Sequence, residues 1–171
     1  MNWLMVALRL VHIVAGALWV GMMAFTVVFL TPALRDAGPD GAKVMAALQR
    51  RGVMTVVPIL ALATLFSGMW LFSRFSGGAP IAILSTPVGL AFALGGAASL
   101  IAFVLGIALM RPAMVRAAAL ADALGSLKTD QERAAHTAQI QRFRARGAAA
   151  GRVVAVLLVF AAGAMAVARY L

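Results

Sequence analysis

Cysteine is absent from the 171 residues, which excludes disulfides, thiolate metal sites and iron–sulfur clusters. Charge is scarce: 12% of residues are charged, where a soluble domain carries about a quarter. Only five are acidic (Asp36, Asp40, Asp122, Asp130 and Glu132), and none lies inside a long apolar run. A proton-coupled transporter or a cation channel normally needs an embedded carboxylate, so this sequence argues against both classes. Phosphate-binding and hydrolytic motifs are missing too; Gly95-Gly96 sits in an apolar run with no lysine nearby. No basic stretch precedes the first apolar run, which is too long for a cleaved leader, so it is expected to remain in the mature protein.

What is present is apolar. Hydrophobic residues make up 64% of the chain and the mean hydropathy is +0.99. Four runs stand out, at about 3–30, 53–73, 86–110 and 151–168. Each is near or above the roughly 20 residues that cross a hydrocarbon core of about 30 Å. Open sheets leave backbone groups unpaired in lipid, and the ~10-residue alternation of a barrel strand is missing. The expected fold is all-α: a polytopic membrane protein, one domain over 1–171, built as a four-transmembrane-helix bundle.

The net charge of +10 does not point to nucleic acid, because the positive residues sit between the apolar runs. Segment 31–52 holds Arg35, Lys43, Arg50 and Arg51; segment 111–152 holds Arg111, Arg116, Lys128, Arg133, Arg142, Arg144, Arg146 and Arg152. Only Arg9, Arg74 and Arg169 are left for the other face. That asymmetry predicts both segments in the cytoplasm, facing anionic lipid headgroups, and both termini outside. The membrane helices are expected to project into the cytoplasm as two helical hairpins, over about 31–52 and 111–150. Gly38-Pro39-Asp40-Gly41 reads as a turn before a helix over 42–51. Ala113 to Leu124 reads as a helix ended by Gly125, and Thr129-Asp130-Gln131-Glu132 as a capping box opening the next. His136, beside Glu132 and Arg133, reads as a solvated residue.

The halves resemble each other. A shift of 80 places Pro32-Ala33-Leu34 on Pro112-Ala113-Met114 and Gly16 on Gly96; a shift of 95 places Arg51-Gly52 on Arg146-Gly147 and Gly68 on Gly163. Paired helices would run in the same direction, a parallel two-helix repeat about the membrane normal. His12 then falls on Phe92 and Trp19 on Ser99, so the polar and aromatic specialisation lies in the first hairpin.

Met5, Arg9, His12, Gly16, Trp19, Met23 and Thr26 recur at three- and four-residue steps, forming one stripe on the first helix. An ionisable residue within a span marks a function by default. In one reading His12 is an axial ligand to haem b, Arg9 pairs with a propionate, Gly16 leaves room for the flat macrocycle and Trp19 packs on it. In the other, His12 is neutral and bonded to Thr64 or Ser67, and Trp19 fills the core. Copper is a third reading, since Met5, Met69 and Met165 share the outer half with His12 among ten methionines. Methionine is also common core filler, and no Met-x-Met or His-x-His pair occurs.

The stretch Arg9-Leu10-Val11-His12, followed after six residues by Trp19-Val20-Gly21, resembles the first helix of the copper-resistance protein D family and, more distantly, of the haem-dependent membrane protoporphyrinogen oxidase family. With Pro32 and Phe66-Ser67-Gly68-Met69-Trp70, the chain also resembles a set of bacterial four-helix membrane proteins. The resemblance implies the bacterial inner membrane and, from the oxidase family, a haem-ligating role for His12. That family also uses a lysine on its third helix. The third span here has none, Lys43 and Lys128 both lying in cytoplasmic segments. The expectation is a haem-b-binding or redox-associated protein, with a non-catalytic accessory or assembly subunit of a larger membrane complex as the alternative. With one intramembrane histidine per chain, two-histidine ligation would need a homo-oligomer.

Overall fold

The first apolar run does not stop at Leu30. In the computed structural model, which describes residues 2–126 and 128–171, it continues as one helix, α1, over Trp3–Asp36. Pro32 lacks the N–H of a regular helix, and its ring would strike the preceding turn. The chain widens just before it: Thr26–Leu30 is a π turn, in which the Thr31 N–H donates to the Thr26 carbonyl five residues back. Pro112 is accommodated in the same way. Gly106–Met110 is a π turn, closed by the Arg111 N–H on the Gly106 carbonyl.

The remaining elements are α2 (Gly38–Arg50), α3 (Val53–Phe75), a one-turn α4 (Pro80–Ile83), α5 (Pro87–Ser126, its last turn 3-10) and α6 (Asp130–Tyr170, its last turn 3-10). α1, α3, α5 and α6 are each long and apolar enough to cross a membrane, and no strand occurs among the described residues. The protein is an all-α four-helix membrane bundle. Membrane spans and the hairpin extensions beyond them are continuous helices. Residues 151–168, expected to cross the membrane, are the second half of α6.

Gly38-Pro39-Asp40-Gly41 is not a turn but the first turn of α2. Proline is tolerated in a first helical turn, where its missing N–H has no intrahelical partner, and the chain bends at Ala37 instead. Gly52, at φ +82°, makes the return into α3, a conformation a side chain would strain. The capping box of α6 forms as expected: the Glu132 N–H donates to Thr129 Oγ1 at 3.2 Å, and the Thr129 N–H donates to Glu132 Oε2 at 3.1 Å.

The bundle pairs α1 with α3 and α5 with α6 in two extensive hairpin interfaces; smaller ones, α1 with α6 and α3 with α5, join the hairpins. Trp19, Met23, Ala61, Ala102, Val154 and Leu158 form the shared core. At a shift of 80 several positions agree in burial: Ala15 and Gly95 are buried, Trp19 and Ser99 are buried, and His12 and Phe92 are half-buried, while buried Ala98 falls on exposed Leu18. The shift of 95 does not hold. It sets buried Thr64 on exposed Val159, and Gly68, packed on His12, on Gly163, which has open space around it. A shift of 97 puts Ala61 on Leu158 and Thr64 on Ala161, all four buried. Matches at 95 were coincidences of residue identity; what decides packing is helical phase, and two residues rotate a face by about 200°.

Candidate functional site

His12 sits in the α1–α3 interface. Its Nδ1 lies 2.9 Å from the Thr64 carbonyl oxygen on α3. A carbonyl only accepts, so Nδ1 carries the proton and donates, which leaves Nε2 with the lone pair. Ser67 Oγ lies 3.3 Å from the same Nδ1. Its one proton goes to the Ala63 carbonyl at 2.5 Å, so toward His12 it presents a lone pair. The Thr64 hydroxyl donates to the Leu60 carbonyl one turn back, at 2.7 Å. The partners foreseen for His12 are thus present, but its main acceptor is backbone. Threonine and serine turn inward on an apolar helix by bonding their own previous turn, which satisfies them without a partner helix.

Gly68 permits this approach. A Cβ at Gly68 would lie 2.7 Å from His12 Cε1 and 3.1 Å from Nδ1. Thr64 and Gly68 are four apart and share a face of α3, one supplying the acceptor and the other the space. Nε2 has no hydrogen-bond partner. Because no fully buried side-chain nitrogen or oxygen lacks a partner among the described residues, Nε2 reaches the molecular surface.

The other stripe residues separate. Arg9, one turn outward, is exposed and makes no ion pair. Gly16 faces α3, where a Cβ would meet the Thr64 methyl at 3.4 Å, so its space serves helix packing. Trp19 is 3% exposed, inside the shared core. Met165 packs on Gly95, while Met69 faces outward, 64% exposed. Among the described residues no three His, Cys, Asp or Glu side chains gather as a metal site. His136 stands on the second hairpin, near the start of α6, its Nδ1 3.3 Å from the Glu132 carbonyl. No family model, curated protein or solved structure matches the chain.

Proposed function

We propose that the protein is a haem-b-binding, redox-associated protein of the bacterial inner membrane, with His12 Nε2 as the axial ligand. The observation that carries this is the hydrogen bond from Nδ1 to the Thr64 carbonyl. A metal-ligating histidine almost always donates its other ring N–H to a carbonyl or carboxylate, which fixes the tautomer and raises the basicity of the ligating nitrogen. Here Thr64 and Ser67 hold the ring, Gly68 admits it, and Nε2 has no partner among the described residues. Arg9 offers a free guanidinium one turn outward for a propionate. Haem would supply one-electron chemistry. Gly16 and Trp19 leave the set of cofactor contacts, because Thr64 and the core already occupy their faces.

The resemblance of the first helix to the copper-resistance protein D and membrane protoporphyrinogen oxidase families supports the reading. Oxidation of protoporphyrinogen is not part of it, since the third span lacks a lysine. The distribution of Lys and Arg supports a cytoplasmic location for 31–52 and 111–150 and periplasmic termini. A second axial histidine would come from another copy of the chain.

The visible spectrum of protein purified from membranes tests the reading. A Soret band with reducible α and β bands is expected, lost in His12→Ala while the protein stays folded. A colourless, folded wild type would overturn it. That outcome is the one expected of an accessory subunit, the reading favoured by the use of Gly16 and Trp19 in packing.

A further inference from the structure

The cytoplasmic stem formed by α5 and α6 has a fixed register. A Cβ at Gly151 would meet Met110 Sδ at 3.5 Å, one at Gly147 would meet Met114 Sδ at 3.0 Å, and the Arg116 guanidinium lies 5.9 Å from the Phe143 ring centre. Arg111 and Arg116 on α5 are thereby brought level with Arg142, Arg144, Arg146 and Arg152 on α6. From Arg152 to Arg142 the band spans ten residues, about 15 Å along the helix. All six arginines are exposed, and among the described residues none has a carboxylate partner. The acidic residues of this hairpin, Asp122, Asp130 and Glu132, lie beyond the band, toward the tip that also carries Lys128 and Arg133. The stem is purely basic and the tip is mixed.

At about 100° per residue, Arg142 and Arg146 share a side of α6 and Arg144 lies roughly opposite, while Arg111 and Arg116 diverge by about 140° around α5. The charges therefore encircle the stem instead of forming a patch. A protein docking from one side would meet only part of such a ring. Phosphates of a headgroup layer surround the stem and so can meet charges on every side of it.

We propose that this collar binds anionic phospholipid headgroups, so that residues 111–119 and 142–152 are sunk in the headgroup layer and only the tip stands clear. Arg111 and Arg152 adjoin the apolar runs directly, and Arg142, Arg144 and Arg146 follow within ten residues of Arg152 on α6. The proposal is independent of His12.

Phosphatidylglycerol binding to the purified full-length protein in neutral detergent, counted by native mass spectrometry against phosphatidylcholine, tests it. Wild type should prefer phosphatidylglycerol, increasingly so at low salt. Each arginine near such a surface contributes about 1 kcal/mol, roughly a fivefold change in affinity. Arg142→Gln, Arg144→Gln and Arg146→Gln should each show that loss, and together about a hundredfold, with an unchanged helical circular dichroism spectrum. A Lys128→Gln, Arg133→Gln tip variant should bind as wild type does. An unchanged affinity in the triple variant overturns the proposal, and so does a wild type that fails to distinguish the two lipids. An effect of Arg142 and Arg146 without one of Arg144 also overturns it, since that is the signature of a one-sided docking surface.

Discussion

His12 and Gly68 meet ring to backbone: a methyl group on Gly68 would lie 2.7 Å from Cε1, inside the distance at which carbon atoms rest. The ring is tethered at Nδ1 by the Thr64 carbonyl and is not free to swing away. Gly68→Ala should therefore displace the imidazole and break that bond, costing about 1–3 kcal/mol as overpacking does. In a His12→Ala background the same change should be neutral or slightly stabilising, since alanine suits a helix better than glycine by about 0.5–1 kcal/mol. A double-mutant cycle on unfolding midpoints checks this, and equal costs in both backgrounds would refute it.

His12→Ala by itself should be mild. A hydrogen bond between membrane helices contributes about 0.6 kcal/mol on average, so the bundle should stay folded and extractable. Arg9→Ala should weaken haem binding or shift its potential without abolishing the Soret band. Soret absorbance of both variants, with redox titration of Arg9→Ala against wild type, distinguishes a ligand from a charge partner.

Orientation is open to a simple measurement. A reporter active only in the periplasm should work when fused at Gly77, in the turn between α3 and α4, and be silent at Gly125, at the tip of the second hairpin. The reverse pattern would overturn the reading of the arginines.

The cap of α6 is sensitive to pH. Hydrogen bonds from the Thr129 side chain, then from its backbone, hold the Glu132 carboxyl below its ordinary value of 4.5. A carboxyl lowered in the folded state adds stability above its unfolded pKa and loses it as pH falls through the folded one. Amide exchange at residues 130–133 should thus quicken, relative to the intrinsic rate, as the solution is acidified past that range. Glu132→Gln, which keeps the hydrogen bonds, should remove the pH dependence.

Helical phase on α6 has its own test. Leu158 is 1% exposed in the shared core, whereas its neighbour Val159 is 55% exposed. Leu158→Ala should cost about 2–5 kcal/mol as a cavity, measured by thermal unfolding in detergent, and Val159→Ala far less. Comparable losses at both positions would restore the shift of 95 between α3 and α6.

The four spans, the two hairpins and the Thr129 cap were legible in the sequence because each rests on a local signal: a run of apolar residues, a charge imbalance, a spacing of three. How α1 passes Pro32 was not, because a proline usually ends a helix and the π turn at Thr26–Leu30, which removes the conflict, has no sequence signal of its own. At the site, the stripe placed His12 on the correct face and named Thr64 and Ser67 as its neighbours. It did not show that the acceptor is a carbonyl, since every residue has one and none is marked in sequence. Gly16 and Trp19 were harder still: a glycine beside a histidine has the same spelling whether a macrocycle or the Thr64 methyl fills its space.

The two π turns begin 80 residues apart, at Thr26 and Gly106, and precede prolines at the same separation. A matching irregularity is stronger evidence of common descent than matching regularity, because any two apolar helices look alike. The chain is laid out as two hairpins with like irregularities, joined through residues 76–86. One half has phenylalanine at position 92, where it packs edge-on against Phe75. The other carries an imidazole at position 12, which a symmetric dimer of identical hairpins would have had to carry twice.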